Sequence, residues 1–149
     1  MRGIVVAIDF SPVCDRLVEE VAALAQSRGS YVWLVHVASP DPDFVGYDVG
    51  PQDVRDRLAE ELRDEHRRLQ AMADGLRDRG IEATALLVQG PTVRTILDEA
   101  EKLEADLIAL GSHGRGLAMR ALLGSVSEGV LRRAKVPVLI VPAHDAGND

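Results

Sequence analysis

The chain has 149 residues, 46% of them hydrophobic and 3% aromatic, one cysteine and a formal net charge of −7. That length suits one domain, residues 1–149, with a core of Val, Leu, Ile and Ala, and the lone Cys14 excludes an internal disulfide or a cysteine-based zinc site and fits a reducing compartment. No stretch approaches the roughly 18 apolar residues of a membrane span and no cleavable signal precedes the first strand pattern. Net acidity opposes nucleic-acid and anionic-membrane partners, so a cytoplasmic protein is expected.

Residues 4–8 are a nearly continuous apolar run between Gly3 and Asp9, the pattern of a fully buried strand. Ser11-Pro12 supplies a capping oxygen and a first-turn proline for a helix that carries Val13, Leu17, Val18, Val21, Leu24 and Ala25 at helical spacing up to Arg28-Gly29. Residues 31–37, β-branched and aromatic, form the second strand, and 39–51, with three prolines and two glycines, form a loop. Residues 53–79 place Val54, Leu58, Leu62, Leu69, Met72 and Leu76 on one face of a helix that ends at Gly80. Its charged face, with Glu60, Glu61, Arg63, Asp64, Glu65, Arg67 and Arg68, reads as solvated.

A third strand is expected at 81–88, then a helix opened by Gly90-Pro91 with Val93, Ile96, Leu97, Ala100 and Leu103 inward. A fourth strand at 107–110 runs into Gly111, a last helix covers about 126–134, and a fifth strand lies at 138–141 between Pro137 and Pro142. Strand and helix alternate throughout, which predicts an α/β fold: a doubly wound, five-stranded parallel sheet in the order 3-2-1-4-5 with helices on both faces. Ligands of such sheets bind beyond the carboxyl ends of the strands where the order reverses. Here that is after strands one and four, at Asp9 and at Gly111.

The segment after strand four reads GSHGRGLAMRALLGSVSEGVLRRA. Glycines let phosphate oxygens approach backbone N–H groups and make positive φ inexpensive, and Gly124-Ser125 opens a helix whose free amides favour an anion. Between Gly111 and Lys135 lie Arg115, Arg120, Arg132, Arg133 and Lys135 against the single acid Glu128, a basic segment suited to a small anionic ligand. There is no Walker loop, and Gly114-Arg115-Gly116 with Met119 lacks the third glycine of the dinucleotide fingerprint.

The spacing GxxG, nine residues, then GS resembles the ATP-binding branch of the universal stress protein family. So do the opening VVAIDFS, VHVA at the end of strand two, QGP before the third helix, LIALGSHGRG, and LLGSVSEGVLRRAKVPVLIVP. The likeness spans essentially the whole chain. It implies that Asp9 contacts the adenosine end of ATP, with Ala7, Ile8 and Val37 beside the base. It also implies that Leu110, Gly111, Gly114, Gly124, Ser125 and Val126 serve the ribose and phosphates, with Mg2+ or Mn2+ held mainly through the phosphates. A homodimer through the C-terminal edge strand follows from the same resemblance. So does cyclic AMP as an alternative ligand.

Asp9 also suits a cap for the turn that follows it, and Ser125 with Glu128 spells a capping box. His36 reads as a packed histidine, since no second ligand sits at metal spacing. No catalytic machinery is evident, so the expected function is a nucleotide-responsive regulatory protein in which ATP orders residues 115–123 for an unidentified protein partner. The enzyme alternative is a weak ATPase or autokinase that uses Ser112, Ser125 or Ser127.

Overall fold

A computed structural model describes residues 3–38, 52–112 and 123–143. The strands are β1 (Gly3–Ala7), β2 (Tyr31–Ala38), β3 (Ala83–Gln89), β4 (Leu107–Gly111) and β5 (Val138–Val141). The helices are α1 (Cys14–Arg28), α2 (Gln52–Asp78), α3 (Thr92–Lys102) and α4 (Ser125–Arg133). All strand pairs are parallel, and the sheet runs β3-β2-β1-β4-β5 as predicted.

β1 is the centre of the sheet because both of its neighbours and both helix layers enclose it. Ile4, Val5 and Val6 have no exposed surface, and burying each such side chain contributes about 1.5–3 kcal/mol. Alternation along the strands sends them to two cores. Ile4 and Val6 join Leu17 and Val21 of α1 and Leu69, Ala73 and Leu76 of α2. Val5, Ile108 and Leu110 join Ile96 and Ala100 of α3 and Val130 of α4 on the other face.

After β1 the chain moves outward through β2 to β3, then crosses back to build β4 and β5 on the other side of β1. The two halves diverge between β1 and β4, which pair from Ile4 with Leu107 to Val6 with Ala109. Past that pairing the strands part, and a crevice opens at their carboxyl ends.

Helix starts differ from the capping pattern in the sequence. Ser11 does not cap α1: Val13 is the N-cap and makes no side-chain cap bond. The Ser11 N–H is held instead by Asp9 Oδ1 at 2.9 Å, and its carbonyl accepts from Cys14 N–H at 3.0 Å. The capping box at Ser125 is likewise not formed. Gly124 is the N-cap of α4, and Glu128 turns outward to Arg132 at 2.7 Å. The close of α1 follows the sequence, with Gly29 at φ 67° taking the left-handed cap that favours glycine.

Candidate functional site

Ala7, Ile8, Asp9, Val37, Leu110, Gly111, Gly124, Ser125 and Val126 all line one cavity of about 470 Å³ in the crevice between β1 and β4. That is within the range of about 300–1,000 Å³ usual for small-molecule sites. Gly114, the remaining predicted contact, lies outside the described residues, as do His113, Arg115 and Arg120.

Asp9 is exposed at the mouth, where β1 ends. Its Oδ1 accepts the Ser11 N–H at 2.9 Å and lies 3.4 Å from Cys14 Sγ, so one oxygen serves the turn that follows β1. Asp9 thus caps that turn from the mouth of the cavity. Cys14 sits in the cavity wall, and burial pushes its thiol above the ordinary range, leaving it protonated and a poor nucleophile at neutral pH.

The glycines act through space rather than through backbone strain. Neither Gly111 nor Gly124 has positive φ; Gly124 is extended at φ −72° and ψ 164°. At Gly111 a Cβ would stand 2.5 Å from Val13 Cγ1, so glycine is what lets β4 pass the start of α1. Gly124 is buried, and its N–H is already bound to Ser112 O at 2.6 Å. The helical bonding pattern leaves the amides of Ser125, Val126 and Ser127 without a helical acceptor, so these are the donors that the first turn of α4 offers.

Two serines hold this geometry. Ser127, 3% exposed, donates from Oγ to Gly111 O at 2.5 Å and fixes the start of α4 to the end of β4. Ser112, 6% exposed, donates its N–H to Val141 O at 2.9 Å, and its Oγ accepts the Ala143 N–H at 3.0 Å. Ser125 alone of the three serines is exposed.

Sequence reasoning missed the floor of the cavity: Val13, Cys14, Leu17, Val35, Thr92 and Ile96. Five of these are apolar or thiol side chains at core spacing, which a pattern assigns to packing. Thr92 had a signal, since it opens α3 directly after Gly90-Pro91 at the carboxyl end of β3. The basic segment does not converge on this cavity among the described residues. Arg132 pairs with Glu128, and Arg133 and Lys135 line a cavity at the other end of the sheet.

A parallel α/β sheet with a mixed apolar and amide-lined crevice at its reversal point is the doubly wound architecture whose ligands bind beyond the strands' carboxyl ends. The model of the universal stress protein family matches residues 1–142, and the chain belongs to that family. It is 34% identical to a universal stress protein of Thermus aquaticus, over 94% of this chain and 98% of that one. It is 36% identical to universal stress protein A homolog 2 of Coxiella burnetii, over 94% of each chain. Among solved structures it is similar to protein MJ0577 of Methanocaldococcus jannaschii, with TM-score 0.81, 26% identity and coverage of 98% and 99%. It is also similar to a universal stress protein from Archaeoglobus fulgidus in complex with dAMP, with TM-score 0.65, 26% identity and coverage of 95% and 98%.

Proposed function

We propose that this chain binds an adenine nucleotide, ATP foremost, in the crevice between β1 and β4, and acts as a nucleotide-responsive regulatory protein. The observation that carries the reading is convergence. Asp9 from the end of β1, Gly111 from the end of β4 and the first turn of α4 meet on one cavity, which gives a nucleoside an apolar slot and a phosphate a row of amides. The Archaeoglobus fulgidus relative, solved with dAMP, supports an adenine nucleotide at this fold's crevice.

In this arrangement Ala7, Ile8 and Val37 flank the base, Asp9 Oδ2 meets the sugar, and the amides at Ser125 to Ser127 meet the phosphates. Mg2+ or Mn2+ would be held mainly through the phosphates, as the family resemblance implies. β5 is an edge strand whose Val138, Leu139 and Ile140 are only half-buried, which supports a homodimer formed at that edge. The autokinase alternative narrows to Ser125, because Ser112 and Ser127 are buried and hydrogen-bonded.

The experiment is thermal unfolding with ATP and magnesium beside GTP and magnesium. A ligand at 100 times its Kd raises stability by about 2.7 kcal/mol. ATP is expected to raise Tm more than GTP; equal shifts for the two remove the adenine assignment, and no shift removes the nucleotide.

A further inference from the structure

His36, on β2, is 8% exposed and touches two acceptors at once. Its Nδ1 lies 2.6 Å from the carbonyl oxygen of Ile8 and its Nε2 3.2 Å from Glu65 Oε2 on α2. A carbonyl and a carboxylate only accept, so each bond needs a hydrogen on the ring nitrogen that faces it. A neutral imidazole supplies one such hydrogen. Making both bonds at once takes one hydrogen more than a neutral ring and an ionised carboxylate carry between them.

What the ring holds is the last turn of backbone before the cavity. Ile8 donates its N–H to Val35 O at 2.8 Å while its carbonyl is taken by His36. Asp9 follows, and then Phe10 at φ 60°, a left-handed conformation uncommon for a phenylalanine. The Phe10 ring packs on the imidazole with centroids 4.7 Å apart, and the Arg68 guanidinium lies 4.2 Å from the centre of the same ring. Ile8 and Asp9 themselves line the cavity. Among the described residues, Glu65 of α2 meets the His36 ring directly and Arg68 of α2 lies over the Phe10 ring that packs on it, Asp9 follows Ile8 at the exit of β1, and β3 places Leu87 opposite His36. His66 of α2 is exposed and bonded to Gln70.

We infer that His36 is a positioning residue for the nucleoside end of the site, and that the proton it shares with Glu65 sets how firmly Ile8, Asp9 and Phe10 are presented to the ligand. The inference rests on the adenine-nucleotide reading above. Loss of the proton turns the Nε2 lone pair towards the Glu65 carboxylate, an acceptor facing an acceptor. Binding of the nucleoside thus tightens as pH falls and loosens as pH rises.

The test uses adenosine, which has no phosphate to titrate, and calorimetry of the full chain from about pH 5.5 to about pH 8.5, either side of the ordinary histidine value. Wild type is expected to lose about threefold to tenfold in affinity across that range, the size of a half-unit to one-unit linkage. His36→Asn keeps an amide donor near the Nδ1 position and has nothing to titrate, so its affinity should be flat. Glu65→Gln should be flat as well, since an amide can face either ring state. Nitrogen NMR of the nucleotide-free protein gives a second readout. At the acid end both nitrogens of His36 carry protons; at the alkaline end only Nδ1 does, keeping the bond to Ile8. A flat wild-type profile, or a neutral ring protonated at Nε2, overturns the inference. Failure of the nucleotide reading looks different: wild type binds neither adenosine nor ATP at any pH.

Discussion

The sheet carries a cavity at each end, and the larger one is at the end where no nucleotide is proposed. The amino-end cavity measures about 670 Å³ and is lined by Gly3, Tyr31 and Trp33 at the starts of β1 and β2 and by Ala100, Glu101, Leu103 and Arg133 near the ends of α3 and α4. In a parallel sheet whose helices run antiparallel to the strands, that end collects helix C-termini, which present carbonyls and a negative dipole end. The carboxyl end collects helix starts and their amides. Volume alone would choose the amino-end cavity; chain direction favours the carboxyl end for an anion. The charges follow suit, since Arg133 and Lys135 at the amino end are balanced by the nearby Glu101 and Glu104.

The contrast breaks most visibly at two glycines. Gly111→Val places a side chain against Val13 inside the carboxyl-end cavity, and Gly3→Val places one against the ring of Trp33 at the amino end. Both are expected to lose about 1–3 kcal/mol of stability through overpacking. Only Gly111→Val should also weaken ATP by about a hundredfold, or about 2.8 kcal/mol. Calorimetry on protein shown to be folded by circular dichroism measures this, and equal affinities for the two variants would reverse the assignment of the ends.

A smaller effect is expected from removing one hydroxyl at each end. Ser127→Ala leaves the Gly111 carbonyl short of a donor in a buried place, a cost of about 1–3 kcal/mol. Tm then falls by about 2–4 °C for each kcal/mol, and ATP affinity falls with it. Tyr31→Phe removes a partly buried bond to Thr84 Oγ1 at the amino end and should lower Tm less and leave affinity unchanged. Chemical denaturation beside ATP titration separates the two outcomes.

Within the carboxyl-end cavity, Asp9→Ala and Gly124→Val divide the ligand. Asp9→Ala should weaken adenosine and ATP alike by about tenfold, about 1.4 kcal/mol. Gly124→Val crowds the first turn of α4 and should weaken ATP by a similar factor while adenosine suffers less. A variant pair with the same profile for both ligands would mean that the two ends of the nucleotide are not where they are assigned.

The least perturbing probe is Cys14 itself. Burial keeps its thiol protonated, so alkylation at neutral pH should be slow and should quicken as pH rises. Saturating ATP should slow it further, by a few-fold, because the thiol lies in the wall of the proposed site. Mass spectrometry of the modified fraction checks this, and undiminished labelling under saturating ATP would point to binding elsewhere.

Strand order and the location of the crevice were legible because they depend on coarse signals, the alternation of apolar runs with helical spacing and the reversal that a five-stranded parallel sheet requires. Side-chain assignments were less so. A serine before a helix announces an available oxygen but not its acceptor, and tertiary contacts decided otherwise at Ser11 and Ser125. Glu65 reads as one more charge on a solvated face, yet it reaches His36, and nothing in helical spacing marks a charge that turns inward. Gly111 and Gly124 lie on the crevice without the positive φ expected of them: Gly111 answers to the nearness of Val13, a contact between residues 98 positions apart that no local pattern records.

The hydrogen bond from Gly124 N–H to Ser112 O means that the chain leaves the sheet and comes back to it at the same residue. The two described ends of the intervening segment, Ser112 and Gly124, are thereby held together by a backbone bond. Doubling the length of such an excursion costs only about 0.6 kcal/mol of closure entropy, and the strands on either side keep their register because Ser112 is tied to Val141 and Ala143 independently. The frame around the crevice is thereby fixed on both sides of that segment by bonds that do not depend on its length.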